Sequence, residues 1–198
     1  MSRVTRRTAL TQTLTWAAGF AAVRIASAQQ GLDQFMTAAP PCKDEKLTPV
    51  VPPQPAFKRD APARTSLIEA GDAAPKIVVA GFVIGIKCGR IKGARVDFWQ
   101  PDAAGVYPPG GARLRGHQLT DAEGKFRLET VQPGVPPGRG RHLSARVEPP
   151  GKPPLTTALY FPGDKPNPQD KFFAPNLVMR AVAGAPAGTY AFDFVLDL

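Results

Sequence analysis

Nineteen glycines and 23 prolines interrupt a chain of 198 residues, and from Lys76 onward no apolar stretch runs far before one of them ends it. Proline lacks the backbone N–H and fixes φ, so it stops helices and central strands. Glycine supplies the left-handed turns that let short strands reverse. The runs between the breaks read as strands at Lys76–Ile86, Ala94–Gln100, Lys125–Thr130, His142–Glu148, Leu155–Phe161 and Tyr190–Leu196. Several alternate with period two. Ala94, Val96 and Phe98 share one face, as do Leu143, Ala145 and Val147, and again Phe192, Phe194 and Leu196. No helical stripe appears downstream of the N-terminal region. Many short strands with Gly/Pro turns predict an all-β, antiparallel β-sandwich. The turns at 87–93 and 121–124 are expected to join antiparallel neighbours. The Pro-rich segment 163–188 is expected to wrap the sandwich surface.

The first 28 residues differ in kind. Arg3, Arg6 and Arg7 precede a moderately apolar run from Ala9 to Val23, and Ala26-Ser27-Ala28 follows. This is the layout of a cleavable secretory signal. A spanning helix needs about 20 mostly apolar residues, and this run is shorter and carries Thr11, Gln12, Thr13 and Thr15. The pair Arg6-Arg7 points to the twin-arginine route, though paired arginines also occur in ordinary signals. The expected organisation is a signal over 1–28, a Pro/Ala-rich extended arm over 29–75, and a sandwich over 76–198. The expected location is periplasmic or secreted.

Formal charge is +9 for the whole chain. The signal holds four arginines and no acids, which leaves 21 basic against 16 acidic residues, or +5. The basic residues are scattered singly, as on a solvated surface and unlike a nucleic-acid footprint. No nucleic-acid partner is expected, nor a membrane after signal cleavage. Cys42 and Cys88 are the two cysteines. In an oxidising compartment an even pair reads as one disulfide; a reactive or metal-binding thiol is the alternative.

Four stretches in order carry a family resemblance: IKGARVDFWQPDAAGVY (91–107), RLRGHQLTDAEGKFRLETVQPG (113–134), GRGRHLSARV (138–147) and LTTALYFPGD (155–164). Gly-Ala-x-Val followed by Thr-Asp-x-x-Gly-x-Phe also occurs in prealbumin-like modules. Trp99-Gln100 with Tyr107 at its interval, and LTTALYFPGD, are more particular. Together they resemble the intradiol ring-cleavage dioxygenases over roughly residues 42–197. The resemblance implies a sandwich with an N-terminal arm, Fe(III) as cofactor, and cleavage of catechol-type aromatics with O2. It also implies iron held by two tyrosines and two histidines. Phenolate is a hard anionic donor suited to Fe(III), and imidazole adds neutral nitrogen. A His-x-His pair places both rings on one strand face.

Carried over residue by residue, Tyr107 matches the first tyrosine ligand, His142 the first histidine, and Arg139 the arginine that steadies charge on the substrate. The second tyrosine falls on Pro136 and the second histidine on Ser144. Neither proline nor serine replaces the lost donors, so ring-cleavage activity is expected to be lost or altered. His117 is a substitute ligand by type, or else a hydrogen-bonded strand histidine. Asp102 is expected to cap a turn, and Tyr160 to pack at a sheet boundary. Trp99 reads as a core or pocket-wall aromatic. Three readings stay open: an iron dioxygenase with a rearranged site, a non-catalytic aromatic-binding or partner subunit (homo- or hetero-oligomeric), and a spacer module.

Overall fold

The computed structural model describes residues 46–52, 56–87 and 89–198, together with Leu32, Met36 and Thr37. Both cysteines, and with them the expected disulfide, lie outside the described residues, as does the signal.

Among the described residues nine strands form two facing sheets: β1 (Lys76–Gly85), β2 (Arg95–Trp99), β3 (Arg115–Leu119), β4 (Lys125–Val131), β5 (His142–Glu148), β6 (Leu155–Tyr160), β7 (Arg180–Ala181), β8 (Thr189–Ala191) and β9 (Phe194–Leu196). Sheet I runs β3-β2-β5-β6, all antiparallel. Sheet II runs β4-β1-β8-β7, with β9 also on β1. The all-β sandwich is as the sequence predicts. The core forms from the alternating faces, including Val96, Phe98, Leu143, Ala145, Val147 and Phe194. Fully burying each such side chain contributes about 1.5–3 kcal/mol. Rings of Phe98, Phe126 and Phe194 meet between the sheets at centroid separations of 5.2–6.5 Å.

Three details differ from the reading of the sequence. First, β1 pairs in parallel with both β8 and β9, so sheet II is mixed. Second, the turns at 87–93 and 121–124 carry the chain from one sheet to the other, although the first closes one antiparallel bridge on the end of β1, Ile84 with Arg90, before the chain crosses. Third, the expected strand Tyr190–Leu196 is split. Asp193 Oδ1 accepts the Phe82 N–H at 3.0 Å and so replaces a ladder carbonyl. Gly81 allows this break, because a Cβ there would strike the Phe192 carbonyl. Strands β3 and β7 were not expected. Residues 163–188 contain two short 3-10 turns, Asn167–Gln169 and Pro175–Leu177, and bury Leu177 and Met179 against the core.

The arm is built into the sandwich edge. Arg64 N–H donates to His117 O, and His117 N–H to Pro62 O, both at 2.9 Å. Leu67 N–H donates to Glu129 O and Glu129 N–H to Thr65 O, both at 2.8 Å. One segment therefore covers the edge of β3 in sheet I and of β4 in sheet II. Leu67 is fully buried at that seam. Covering an exposed edge protects its unpaired backbone groups.

Candidate functional site

The site lies on the outer face of sheet I, where β5 begins. Successive strand residues point to opposite faces. With Leu143, Ala145 and Val147 in the core, His142, Ser144 and Arg146 face outward. Register places Trp99 beside Ser144 and Tyr160 beside His142 on that same face. Two connections converge there. The β2–β3 loop carries Tyr107, and the β4–β5 crossover carries Pro133–Arg141.

Glycines let these connections interlock. Gly134 N–H donates to Asp102 O at 2.7 Å, and a Cβ on Gly134 would strike Ala103 O and Gly105 N. Gly105 sits at φ +84°, with the Val135 carbonyl where its Cβ would be. Asp102 caps the turn as expected, its Oδ1 accepting the N–H groups of Ala104 and Val106 at 2.9 and 3.0 Å.

Tyr107 and His142 meet. Their Oη and Nε2 atoms are 2.8 Å apart, and Ser144 Oγ lies 3.1 Å from the same phenol oxygen. His142 Nδ1 lies 2.8 Å from the Gly140 carbonyl, which can only accept. The imidazole proton is therefore on Nδ1, and Nε2 accepts the Tyr107 hydroxyl. Ser144 then donates to the phenol oxygen. His142 and Ser144 are fully buried, and Tyr107 is half-buried above them. Burial pushes the imidazole down to about 4. Burial also raises the Tyr107 phenol above its ordinary value, partly offset by its hydrogen bond with Ser144. Near neutral pH all three groups are uncharged and satisfy one another.

Arg139 stands beside this cluster. Its Nε donates to Asp170 Oδ2 at 2.8 Å and one terminal nitrogen to Tyr160 Oη at 3.2 Å. Its guanidinium carbon lies 4.8 Å from the Phe172 ring centre. Tyr160 packs edge-on to Phe173 and donates to Asp170 Oδ2 at 2.9 Å, so its hydroxyl is directed away from the Tyr107–His142 pair. Burial raises this phenol to about 12. Trp99 lies under Phe57 of the arm, with centroids 5.1 Å apart, beside Ser144. A cavity of about 370 Å³ borders Pro136, Arg139, Val135, Pro166 and Gln169.

His117 is not brought to the pair. It is level with Arg146, four residues along from His142 and two strands across, and its Nδ1 lies 2.7 Å from Ala61 O. Four residues span about 13 Å along a strand. The structure favours the strand-histidine reading and gives no support to His117 as a substitute ligand.

Two residues escaped the sequence reading. Arg115 is fully buried. Its guanidinium donates to the carbonyls of Ala56, Pro108, Gly110 and Gly111, which fastens the loop just beyond Tyr107. Asp170 gathers Arg139, Tyr160 and the Gly140 N–H. No local pattern marks Asp170, whose three partners lie 10 to 31 residues away, whereas Arg115 draws mainly on the loop just before it, at Pro108, Gly110 and Gly111, and shows its role only once that loop folds around it.

A family model described as "Dioxygenase" matches residues 53–198. The dioxygenase domain of a dioxygenase–carbohydrate-binding protein fusion from the cellulolytic bacterium Streptomyces sp. SirexAA-E is 43% identical. That match covers 77% of this chain and 99% of the domain, with a TM-score of 0.73. An intradiol ring-cleavage dioxygenase from Tetranychus urticae aligns over 78% of this chain and 96% of its own, at 23% identity and a TM-score of 0.70. The chain belongs to the intradiol ring-cleavage dioxygenase family. A 3-chlorocatechol 1,2-dioxygenase from Rhodococcus opacus 1CP shares the fold at 20% identity and a TM-score of 0.67, over 92% of this chain and 89% of its own.

The metal site of this intradiol family member is degenerate. Among the described residues no group of three or more His, Cys, Asp or Glu side chains stands close enough to hold a metal. Counting tyrosine, the cluster offers one phenol and one imidazole. Ser144 adds a neutral hydroxyl, and Pro136 has no donor side chain. Ferric iron needs anionic oxygen donors. Here Tyr107 is the one phenol aimed at His142, since the Tyr160 hydroxyl is committed to Asp170, and one phenol, one imidazole and a neutral hydroxyl fall short of the donor set, so the residues present do not fit the ion.

Proposed function

We propose that this chain has given up ferric ring cleavage and binds phenolic aromatic molecules at the metal-free site beside Tyr107, after export to the periplasm or beyond. The observation that carries this reading is the closed hydrogen-bond set of Tyr107, His142 and Ser144. These groups bond to each other in neutral form, and the remaining ligand position is Pro136. Proline in place of tyrosine leaves room on the side of Arg139, and the cavity of about 370 Å³ borders both residues. That volume falls within the range of small-molecule pockets, about 300–1,000 Å³. Its walls are mainly proline, valine and the Arg139 side chain, an apolar lining with one cationic group, as suits a flat aromatic ring with a polar edge.

Three measurements on one preparation test the proposal: elemental analysis after ferric reconstitution, oxygen uptake with catechol, and titration with 4-nitrocatechol followed by absorbance. The expected result is substoichiometric iron, no oxygen uptake and saturable binding of the probe at one site per chain. Stoichiometric iron with catechol-dependent oxygen uptake would overturn the loss of cleavage. Absence of saturable binding would overturn the binding role.

A further inference from the structure

Asp170 follows the 3-10 turn Asn167–Gln169, and its side chain is fully buried. A buried carboxylate is tolerated only when its oxygens are supplied with donors. Here four donors serve it. Oδ2 accepts from Arg139 Nε at 2.8 Å, Gly140 N–H at 2.9 Å and Tyr160 Oη at 2.9 Å. Oδ1 accepts from Phe172 N–H at 2.9 Å.

The Gly140 contact links this carboxylate to the candidate site. The N–H of Gly140 is fixed by Asp170, and its carbonyl receives the His142 Nδ1 proton at 2.8 Å. The residue is also held sterically. A Cβ on Gly140 would come within 2.6 Å of Asn167 Oδ1 and 3.1 Å of the Tyr160 ring. No side chain longer than hydrogen fits without displacing that wall. The Gly140 N–H and C=O belong to successive peptide groups joined at a Cα that this wall holds, so anchoring the first aims the second. The chain of contacts runs from Asp170 through the Gly140 backbone and His142 to Tyr107 and Ser144.

We propose that Asp170 is the positioning residue of this site: by anchoring the Gly140 N–H it fixes the backbone from which the Gly140 carbonyl holds the His142 proton on Nδ1, which leaves Nε2 to receive the Tyr107 hydroxyl. A carboxylate that orients an imidazole from outside the immediate contacts is a recurring device in metal sites. Here it acts by fixing the backbone and serves a hydrogen-bonded cluster. One part of its consequence, the shape of the cavity wall at Arg139, rests on the binding role proposed above.

The test is nuclear magnetic resonance on full-length protein labelled uniformly with 15N and 13C. The chain has two histidines, so a His117→Gln variant assigns both. In the parent the His142 proton is expected on Nδ1 alone, with a through-hydrogen-bond coupling between Gly140 N–H and the Asp170 carboxyl carbon. Asp170→Ala removes the acceptor of the Gly140 N–H altogether. The His142 proton is then expected to distribute over both ring nitrogens, while Tyr160→Phe, which spares the Gly140 contact, leaves it in place. Binding of 4-nitrocatechol to Asp170→Ala is expected to weaken by about tenfold or more, the scale of losing a supporting partner.

A parent protein with its proton on Nε2 overturns the proposal, as does a folded Asp170→Ala with an unchanged His142 spectrum. Should that variant not fold, the coupling in the parent decides, and its absence overturns the proposal. If the parent binds no 4-nitrocatechol, the binding role fails, while the histidine spectra still decide the role of Asp170.

Discussion

The outer face of sheet I carries two polar clusters, and they solve burial in opposite ways. At the start of β5, Tyr107, His142 and Ser144 are neutral and bond among themselves. Toward the other end, Arg95 pairs with Asp97 at 2.7 Å and Arg146 with Glu148 at 2.8 Å, while Arg146 reaches Asp97 at 3.5 Å and Arg59 of the arm reaches Glu148 at 3.5 Å. Each end has one histidine. His142 is held by a phenol, and His117, level with Asp97, by an arm carbonyl. The contrast teaches why neither end suits a ferric ion. The ionic end has carboxylates, but arginines already occupy them. The neutral end brings a phenol to an imidazole, but the carboxylate nearby, Asp170, is taken up by Arg139, Tyr160 and two backbone N–H groups.

Breaking the ionic end has the largest expected effect. Asp97 is 1% exposed, and Asp97→Ala leaves Arg95 and Arg146 without their shared carboxylate. Unpairing buried charges costs about 3–5 kcal/mol. Urea unfolding of the variant should show a loss of that size, and a loss under about 1 kcal/mol would mean the pair is effectively solvated.

Next in size is a pH effect confined to the neutral end. His142 titrates near 4 in the fold against 6.5 unperturbed. Between those values the unfolded chain binds the extra proton, so stability falls as pH drops from about 6.5 to 4, by up to about 3 kcal/mol. Urea midpoints at pH 7 and 4.5 should separate in the parent and converge in His142→Gln. Equal slopes in both would remove His142 as the cause.

A smaller loss is expected from Tyr107→Phe. It leaves His142 Nε2 and Ser144 Oγ buried without their partner, at a cost of about 1–3 kcal/mol. Calorimetry on the variant checks this, and an unchanged melting temperature would show that water replaces the phenol. The smallest effect belongs to the rim. Arg59 is 68% exposed, so Arg59→Ala should cost under about 1 kcal/mol and lose even that in high salt.

The sandwich core is legible in the sequence, the neutral end only through the family resemblance, and the ionic end not at all. The period-two runs place Val96, Phe98, Leu143 and Ala145 in the core, because a strand with one buried face cannot hide its alternation. The resemblance of 91–107 and 138–147 to the family's motifs assigns Tyr107 and His142 to one site, and they meet there. What escaped depends on contacts distant in sequence. Asp170 lies 31 residues from Arg139 and looks like any polar residue of a Pro-rich segment. Asp193 reads as an interruption in an apolar run, and only its bond to Phe82 explains the split strand. The turns at 87–93 and 121–124 have hairpin chemistry. Whether such a turn stays within a sheet or crosses to another is decided by packing and not by its own residues.

The parallel seams on β1 set the order of assembly. Residues 78–85 find their partners on one edge only at 189–196, more than a hundred positions later. A ribosome must deliver the chain past residue 196 before that edge is occupied. Until then β1 is an open template for other chains, which makes prompt completion of synthesis, or a chaperone's cover, part of this protein's route to solubility.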